Sequence, residues 1–179
     1  MVKILALTGL MGAGKDVVAE YIEKKYNYRI VQVADMLRSM ARARGLDTNR
    51  ETLQKLRKEY GKTFLAEEAV RLIKQGQEKN TVYVPLRVWE DYTIPKKEFG
   101  KDFFLIHVQA TPQVRFAHLK ERKRDTDPQT FAEFERQEQS EIELFDFEKL
   151  FAHADVVITN NGSFNELHKQ IDALMERLQ

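Results

Sequence analysis

The chain has 179 residues, enough for one domain with a proper core. Its 29 Lys and Arg stand against 28 Asp and Glu, a formal charge of +1, so nothing in the overall balance favours DNA, RNA or an anionic membrane. With no cysteine, disulfides and thiolate metal sites are excluded, and no apolar run approaches the roughly 18 residues that a membrane span requires. The first residues carry one lysine and then a strand pattern rather than a signal peptide, so a soluble, cytoplasmic protein is expected.

Residues 2–8 form a short apolar run that reads as a buried strand. The stretch Gly9-Leu10-Met11-Gly12-Ala13-Gly14-Lys15 follows. Behind it, residues 16–26 place Val17, Val18, Tyr21, Ile22 and Tyr26 on one helical face. The β-branched residues of 28–33 predict a second strand. A helix is expected over about 35–44, stopped by Gly45. Thr48 and Glu51 have capping-box spacing ahead of a helix carrying Leu53, Leu56 and Tyr60, which Gly61 stops. Another helix is expected over about 64–74, with Leu65, Ala69, Leu72 and Ile73 on one face.

Residues 81–84 and 103–108 read as the third and fourth strands. Thr111 is placed to cap a helix with Pro112 at its first position. Asp127-Pro128 would open a further, unusually polar helix. Residues 155–159 read as the fifth strand. Ser163 and Glu166 would cap a last helix in which Leu167, Ile171, Leu174 and Leu178 recur at helical spacing. Most strands are continuous apolar runs, which implies burial on both faces and a parallel sheet covered by helices. Ligands of such sheets bind beyond the carboxyl ends of the strands. The loop at 9–15 and the segments after the second, third and fifth strands should therefore meet at one crevice.

The loop reads G-x-x-x-x-G-K between a strand and a helix, the setting a phosphate-binding P-loop needs. Glycines let the backbone curl so that its N–H groups face a polyphosphate. The helix N-terminus adds partial positive charge, and the lysine a full one. Gly9, Met11, Gly12, Ala13, Gly14, Lys15, Asp16 and Val17 are the candidate nucleotide-binding residues here. The motif places a hydroxyl after its lysine, whereas this chain has Asp16, whose carboxylate can also ligate Mg²⁺. Asp35 is either a helix cap or a residue that accepts a proton or holds the acceptor. Arg38 and Arg87 are either solvated or forked ligands for an acceptor's anion. Arg115, Lys120, Arg122, Lys123, Arg124 and Asp125 form a mostly basic cluster. It reads as a helix end favoured by the macrodipole, as a mobile lid whose arginines close over a triphosphate, or, less well because aromatic residues are not interleaved with the charges, as a nucleic-acid patch. The four histidines, His107, His118, His153 and His168, lack metal-ligand spacing and read as structural or surface residues.

On these residues the chain resembles the nucleoside monophosphate kinase and dephospho-CoA kinase group, and more narrowly an adenylate-kinase-related family within it. The P-loop matches the group's. The segment Ala34-Asp35-Met36-Leu37-Arg38 is similar to the G-D-M-L-R segment of adenylate kinases, whose arginine binds the acceptor phosphate. Arg87 stands where the group carries an arginine after its third strand, and residues 115–127 are similar to the group's lid. Residues 154–163 are similar to the A-D-x-x-I-x-N-x-G segment of dephospho-CoA kinases, which implies that Asn161 and Gly162 lie near the adenine of ATP. The Lys15-Asp16 pair resembles that of some deoxynucleotide kinases. The group often has an aspartate at the end of the third strand, whereas Val82, Tyr83, Val84 and Pro85 offer no carboxylate, and the nearest acids are Glu90 and Asp91.

The expectation is a three-layer α/β P-loop NTPase fold: a five-stranded parallel sheet, helices on both faces and a helical lid. A single domain would span residues 1–179, with an acceptor-binding helical insertion at about 35–76 and the lid at about 115–145. The expected activity is ATP- and Mg²⁺-dependent phosphoryl transfer to a nucleotide-like small molecule. A (deoxy)nucleoside monophosphate or dephospho-CoA is the acceptor class. Lys15, Asp35, Arg38, Arg87, Arg122 and Arg124 are the candidate catalytic residues, and Asp16 the metal ligand. A regulatory nucleotide-binding protein with little catalysis is the alternative. Residues 160–163 do not form the guanine signature of a GTPase switch. No nucleic-acid or membrane partner is expected, and the protein would act as a monomer or homodimer.

Overall fold

A computed structural model of the chain describes residues 3–76, 80–123 and 127–178. The strands are β1 (Ile4–Thr8), β2 (Arg29–Gln32), β3 (Thr81–Leu86), β4 (Phe103–Gln109) and β5 (Val156–Thr159). All pair in parallel, in the order β2-β3-β1-β4-β5. The helices are α1 (Lys15–Tyr26), α2 (Val33–Ala43), α3 (Arg50–Gln75), α4 (Trp89–Phe99), α5 (Pro112–Arg122), α6 (Phe131–Leu144), α7 (Phe147–Ala152) and α8 (Phe164–Leu178).

Strand periodicity divides the core in two. Ile4 and Ala6 of β1 point to one face and meet α2, α3 and α7 through Leu37, Leu56, Leu65 and Leu150. Leu5 and Leu7 point to the other and meet α1 and α8 through Val18, Ile22, Ile171 and Leu174. Every residue of β1 is buried, as a central strand covered on both faces requires. At the edge, Val157 of β5 is half exposed. A third cluster joins α5 to α6, where the Phe116, Phe131 and Phe134 rings lie with centroids 5.5–5.8 Å apart.

Several boundaries differ from the sequence pattern. The β-branched run at 30–33 suits a strand, but β2 pairs with β3 only from Arg29 to Gln32, and α2 begins at Val33. The α3 cap is Asn49, whose side chain accepts from Thr52 N at 2.9 Å, rather than Thr48. The two helices expected on either side of Gly61 meet there, at a residue whose φ of 80° and ψ of 177° are non-helical. Thr111 occupies the α5 cap position without a side-chain cap bond. The polar helix begins at Phe131, not after Asp127-Pro128, because Thr130 and Glu133 make the reciprocal capping box. Ser163 and Glu166 do form the expected box ahead of α8. Helices α4 and α7 were not expected from periodicity; α4 contains Pro95 and α7 is six residues long.

The turn from β3 into α4 is held by one carboxylate. Asp91 is fully buried and accepts from Arg87 N at 2.9 Å, Val88 N at 3.1 Å and Arg57 Nη2 at 3.0 Å. Burial pushes its carboxyl up, and the Arg57 guanidinium and the two N–H groups oppose that shift. Of the two acids that follow the third strand, Asp91 is thus committed to shaping the backbone that carries Arg87. Asp91→Ala would orphan two N–H groups and a sheltered guanidinium. It is expected to lower unfolding free energy by about 3 kcal/mol in urea titrations. An unchanged midpoint would contradict this role.

Candidate functional site

The connection between β1 and α1 is clamped from three directions. At Gly12, φ is +78°, and a Cβ would lie 2.4 Å from the carbonyl oxygen of Arg115, a backbone atom with little room to move. The Gly12 carbonyl in turn accepts from His118 Nδ1 at 2.9 Å. At Gly14, the N-cap of α1, φ is +95° and a Cβ would lie 2.3 Å from Asn160 Nδ2. That amide donates to the carbonyl of buried Ala13 at 3.0 Å. Met11 contributes a carbonyl that accepts from Arg115 Nη1 at 3.2 Å. Val17 packs on the core between the sheet, α1 and α8. Asp16 sits in the first turn of α1.

Lys15 folds back over this turn. Its Nζ donates to the carbonyls of Gly9 at 2.7 Å and Leu10 at 2.9 Å. Burial, followed by the field of Arg87, lowers its pKa to about 8, against the opposing fields of Asp16 and Glu141. The ammonium is thus poised where an anion would both pair with it and restore its charge. Nearby, His107 of β4 stacks on Phe151 with ring centroids 3.7 Å apart. Burial, and then the charge of Lys15, lower its pKa to about 4, so the imidazole is neutral at pH 7.

Beyond β3 lies a second group. Arg87 Nη1 donates to Glu141 of α6 at 2.9 Å, and its guanidinium lies 5.1 Å from the Phe145 ring centroid. Arg57 of α3 approaches the same ring at 5.7 Å while pairing with Asp91. Arg38 and Asp35 pair with each other across one turn of α2 at 2.8 Å. Met36 and Leu37 between them share a core with Leu10 of the loop. Arg57, Glu141 and Phe145 carry no local motif, and only the meeting of α3, α6 and the end of β3 marks them out.

The basic cluster divides. Arg115 is buried, donates to Ala110 O at 3.0 Å, pairs with Glu138 of α6 and lies over the Phe134 ring. It is a brace for the loop, not a mobile lid arginine. Arg122 Nε donates to buried Asp127 at 3.0 Å. Arg124 lies outside the described residues. Of the segment after β5, Asn161 Oδ1 accepts from Thr111 N at 2.8 Å, Gly162 is exposed beside Glu166, and Asn160 touches the loop itself. Among the described residues no three His, Asp or Glu side chains form a metal cage. A single carboxylate such as Asp16 still suits Mg²⁺, which takes most of its shell from phosphates and water. No helix among the described residues is long and apolar enough to cross a membrane.

Two outcomes follow for a polyphosphate ligand. Binding favours the charged Lys15, so the complex holds more protons than the free protein above its pKa of about 8. Affinity should be flat below about pH 7 and fall by up to about tenfold per pH unit above pH 8. A Lys15→Arg variant should lack this fall, because a guanidinium stays charged throughout. Calorimetric titration of an ATP analogue across this range would show it, and a wild-type affinity independent of pH would contradict it. Gly12→Ala is expected to weaken the same ligand by about 100-fold or more, since the loop must move off Arg115. Near-normal binding would refute the clamp.

Residues 8–135 match the family described as the AAA domain. The UPF0200 protein of Methanothermobacter thermautotrophicus is 32% identical over 175 residues, covering 98% of this chain and 90% of that one. The UPF0200 protein of Pyrobaculum aerophilum is 32% identical over 180 residues and covers 100% of both chains. Among solved structures, shikimate kinase from Acinetobacter baumannii in complex with shikimate is similar with a TM-score of 0.64 at 11% identity, covering 99% of this chain and 93% of that one. TT1252 from Thermus thermophilus is similar with a TM-score of 0.59 at 20% identity, covering 99% and 98%. At such identities the likeness establishes the fold, and the expected parallel sheet of the P-loop kinases is what is observed. The chain belongs to the AAA domain family through residues 8–135 and, along its length, to the UPF0200 family.

Proposed function

We propose that this protein is an ATP-dependent phosphotransferase of the nucleotide-kinase type. It would move the γ-phosphoryl group of ATP to a nucleotide-like small molecule of the (deoxy)nucleoside monophosphate or dephospho-CoA class. The observation that carries this reading is the clamped loop, with Lys15 resting on the carbonyls of Gly9 and Leu10 at the carboxyl ends of parallel strands. An incoming triphosphate would draw Lys15 off those carbonyls onto its β- and γ-oxygens, while the amides from Gly12 to Asp16 line the phosphate chain. Asp16 would hold Mg²⁺, which when bound neutralises charge on the phosphates. Asn161 and Gly162 would border the adenine.

Asp35, Arg38 and Arg87 would place the acceptor on the β3 side. Arg122, released from Asp127, and Arg124 would close over the transferring group. Catalysis of this kind is positioning plus charge stabilisation, and it needs little covalent chemistry from the protein. A regulatory nucleotide-binding role is the second reading. It is favoured by β3 ending without a carboxylate and by Asp91 being committed to the backbone. The two differ in one assay: ATP and Mg²⁺ with an acceptor panel, read by mass spectrometry. Lys15→Ala is expected to lower transfer by about 1000-fold while circular dichroism stays native. Unchanged turnover in that variant would reject the assignment, and tight ATP binding without any product would favour the regulatory role.

A further inference from the structure

The charges around the crevice are distributed unequally. On the nucleotide side, Lys15 hydrogen-bonds backbone carbonyls, which leave its charge intact. On the acceptor side, each arginine already has a carboxylate: Arg38 has Asp35 at 2.8 Å, Arg57 has Asp91 at 3.0 Å and Arg87 has Glu141 at 2.9 Å. Two of these acids, Asp91 and Glu141, are buried, so water screens them little. Glu141, bonded to Arg87, also stands in the field of Lys15, so its carboxylate faces the arginine for the acceptor within reach of the charge of the nucleotide-side cation.

Its placement is firm. One turn earlier on α6, Glu138 grips Arg115, and Arg115 grips the loop carbonyl of Met11. Glu138 and Glu141 lie three residues apart and so share a helix face. That face is thereby registered against both the phosphate loop and the end of β3. A phosphate acceptor reaching the γ-phosphorus would bring two negative charges towards this carboxylate. A hydroxyl would bring none, and it needs a group to take its proton.

Resting on the phosphotransferase reading above, we propose that the acceptor is phosphorylated on a hydroxyl, not on a phosphate, and that Glu141 is the carboxylate that takes the hydroxyl proton. In the step, the acceptor oxygen forms a bond to the γ-phosphorus as the bond from that phosphorus to the β,γ-bridging oxygen breaks. The hydroxyl proton passes to a Glu141 oxygen, and ADP carries away the bonding pair. A carboxylate is a sufficient base because the proton becomes acidic only as the new bond forms. Arg87 holds Glu141 in place and keeps its remaining donors for the acceptor.

The test is product chemistry. The intact protein, ATP and Mg²⁺ are incubated with nucleosides, nucleoside monophosphates and dephospho-CoA, and the products are read by ³¹P NMR. New phosphate monoesters are expected, and Glu141→Gln, which keeps the shape and the bond to Arg87, should lower their formation by about 100-fold or more. New phosphoanhydrides would overturn the inference and leave the phosphotransferase reading standing. If no acceptor in the panel is turned over, the phosphotransferase reading fails, and an AMP titration still decides the role of the Glu141 charge. Glu141→Gln is then expected to bind AMP at least about fivefold more tightly than the wild type, because a like charge beside Arg87 has gone. Equal or weaker AMP binding would overturn the proposed exclusion of phosphate.

Discussion

The structure depends on a backbone turn that approaches its neighbours too closely for side chains. Between β1 and α1 the chain reverses within a few residues, and two of its glycines lie against Arg115 O and Asn160 Nδ2 at distances that a Cβ would turn into overlap. The contacts come from α5 and from the loop after β5, more than a hundred residues away in sequence. An anion cradle made of backbone amides works only if those amides are already aimed when the ligand arrives. Here the loop's backbone is set by elements distant in sequence. Arg115 shows the arrangement: a buried cation, stacked over Phe134 and paired with Glu138, supports the loop's carbonyl and does not compete for the ligand.

From that turn the charges fan out in a graded way. Lys15 is nearest, its ammonium resting on backbone carbonyls and weakened by burial and by Arg87. Further out, guanidiniums are tied to acids that also fix their direction. Burying a charge is unfavourable unless it is paired and hydrogen-bonded, so Arg57 and Arg87 could not sit against Phe145 without Asp91 and Glu141. The same pairing turns flexible side chains into oriented ones, which a site that works by positioning needs. The neutral His107 belongs to this economy of charge: beside Lys15 and stacked on Phe151, a second cation there would be repelled.

The sheet is the frame on which both groups are hung. Because β1 lies between β3 and β4, the chain leaves it towards one side and later returns to the other, and ligands of such sheets bind beyond the carboxyl end of the strand at this reversal. The hydrogen bond from Thr8 Oγ1 to Leu86 O at 3.1 Å ties the ends of β1 and β3 together there. The two halves of the core on either face of the sheet then hold the loop, α2 and the end of β3 at set distances.

What could be read directly was whatever a short stretch of chain decides for itself. The phosphate loop was legible because glycines and a lysine at fixed spacing between a strand and a helix have few other uses. The parallel sheet was legible because its strands are buried on both faces and so are apolar throughout. The break at Gly61 and the box at Ser163 and Glu166 were legible for the same local reason. Asn49 displaced Thr48 as a cap, and Thr130 displaced Asp127, because neighbouring polar residues can compete for the same role and only the packed helix axis chooses between them. The second group of charges was legible only in part: Asp35, Arg38 and Arg87 follow strands, but Arg57 comes from α3 and Glu141 and Phe145 from the end of α6, and nothing in their own surroundings distinguishes these three from surface residues. Arg115 looked like a lid arginine because composition records only that a charge is present. Whether that charge is solvated, buried or paired depends on which distant acid the fold brings to it, and that is decided by tertiary structure alone.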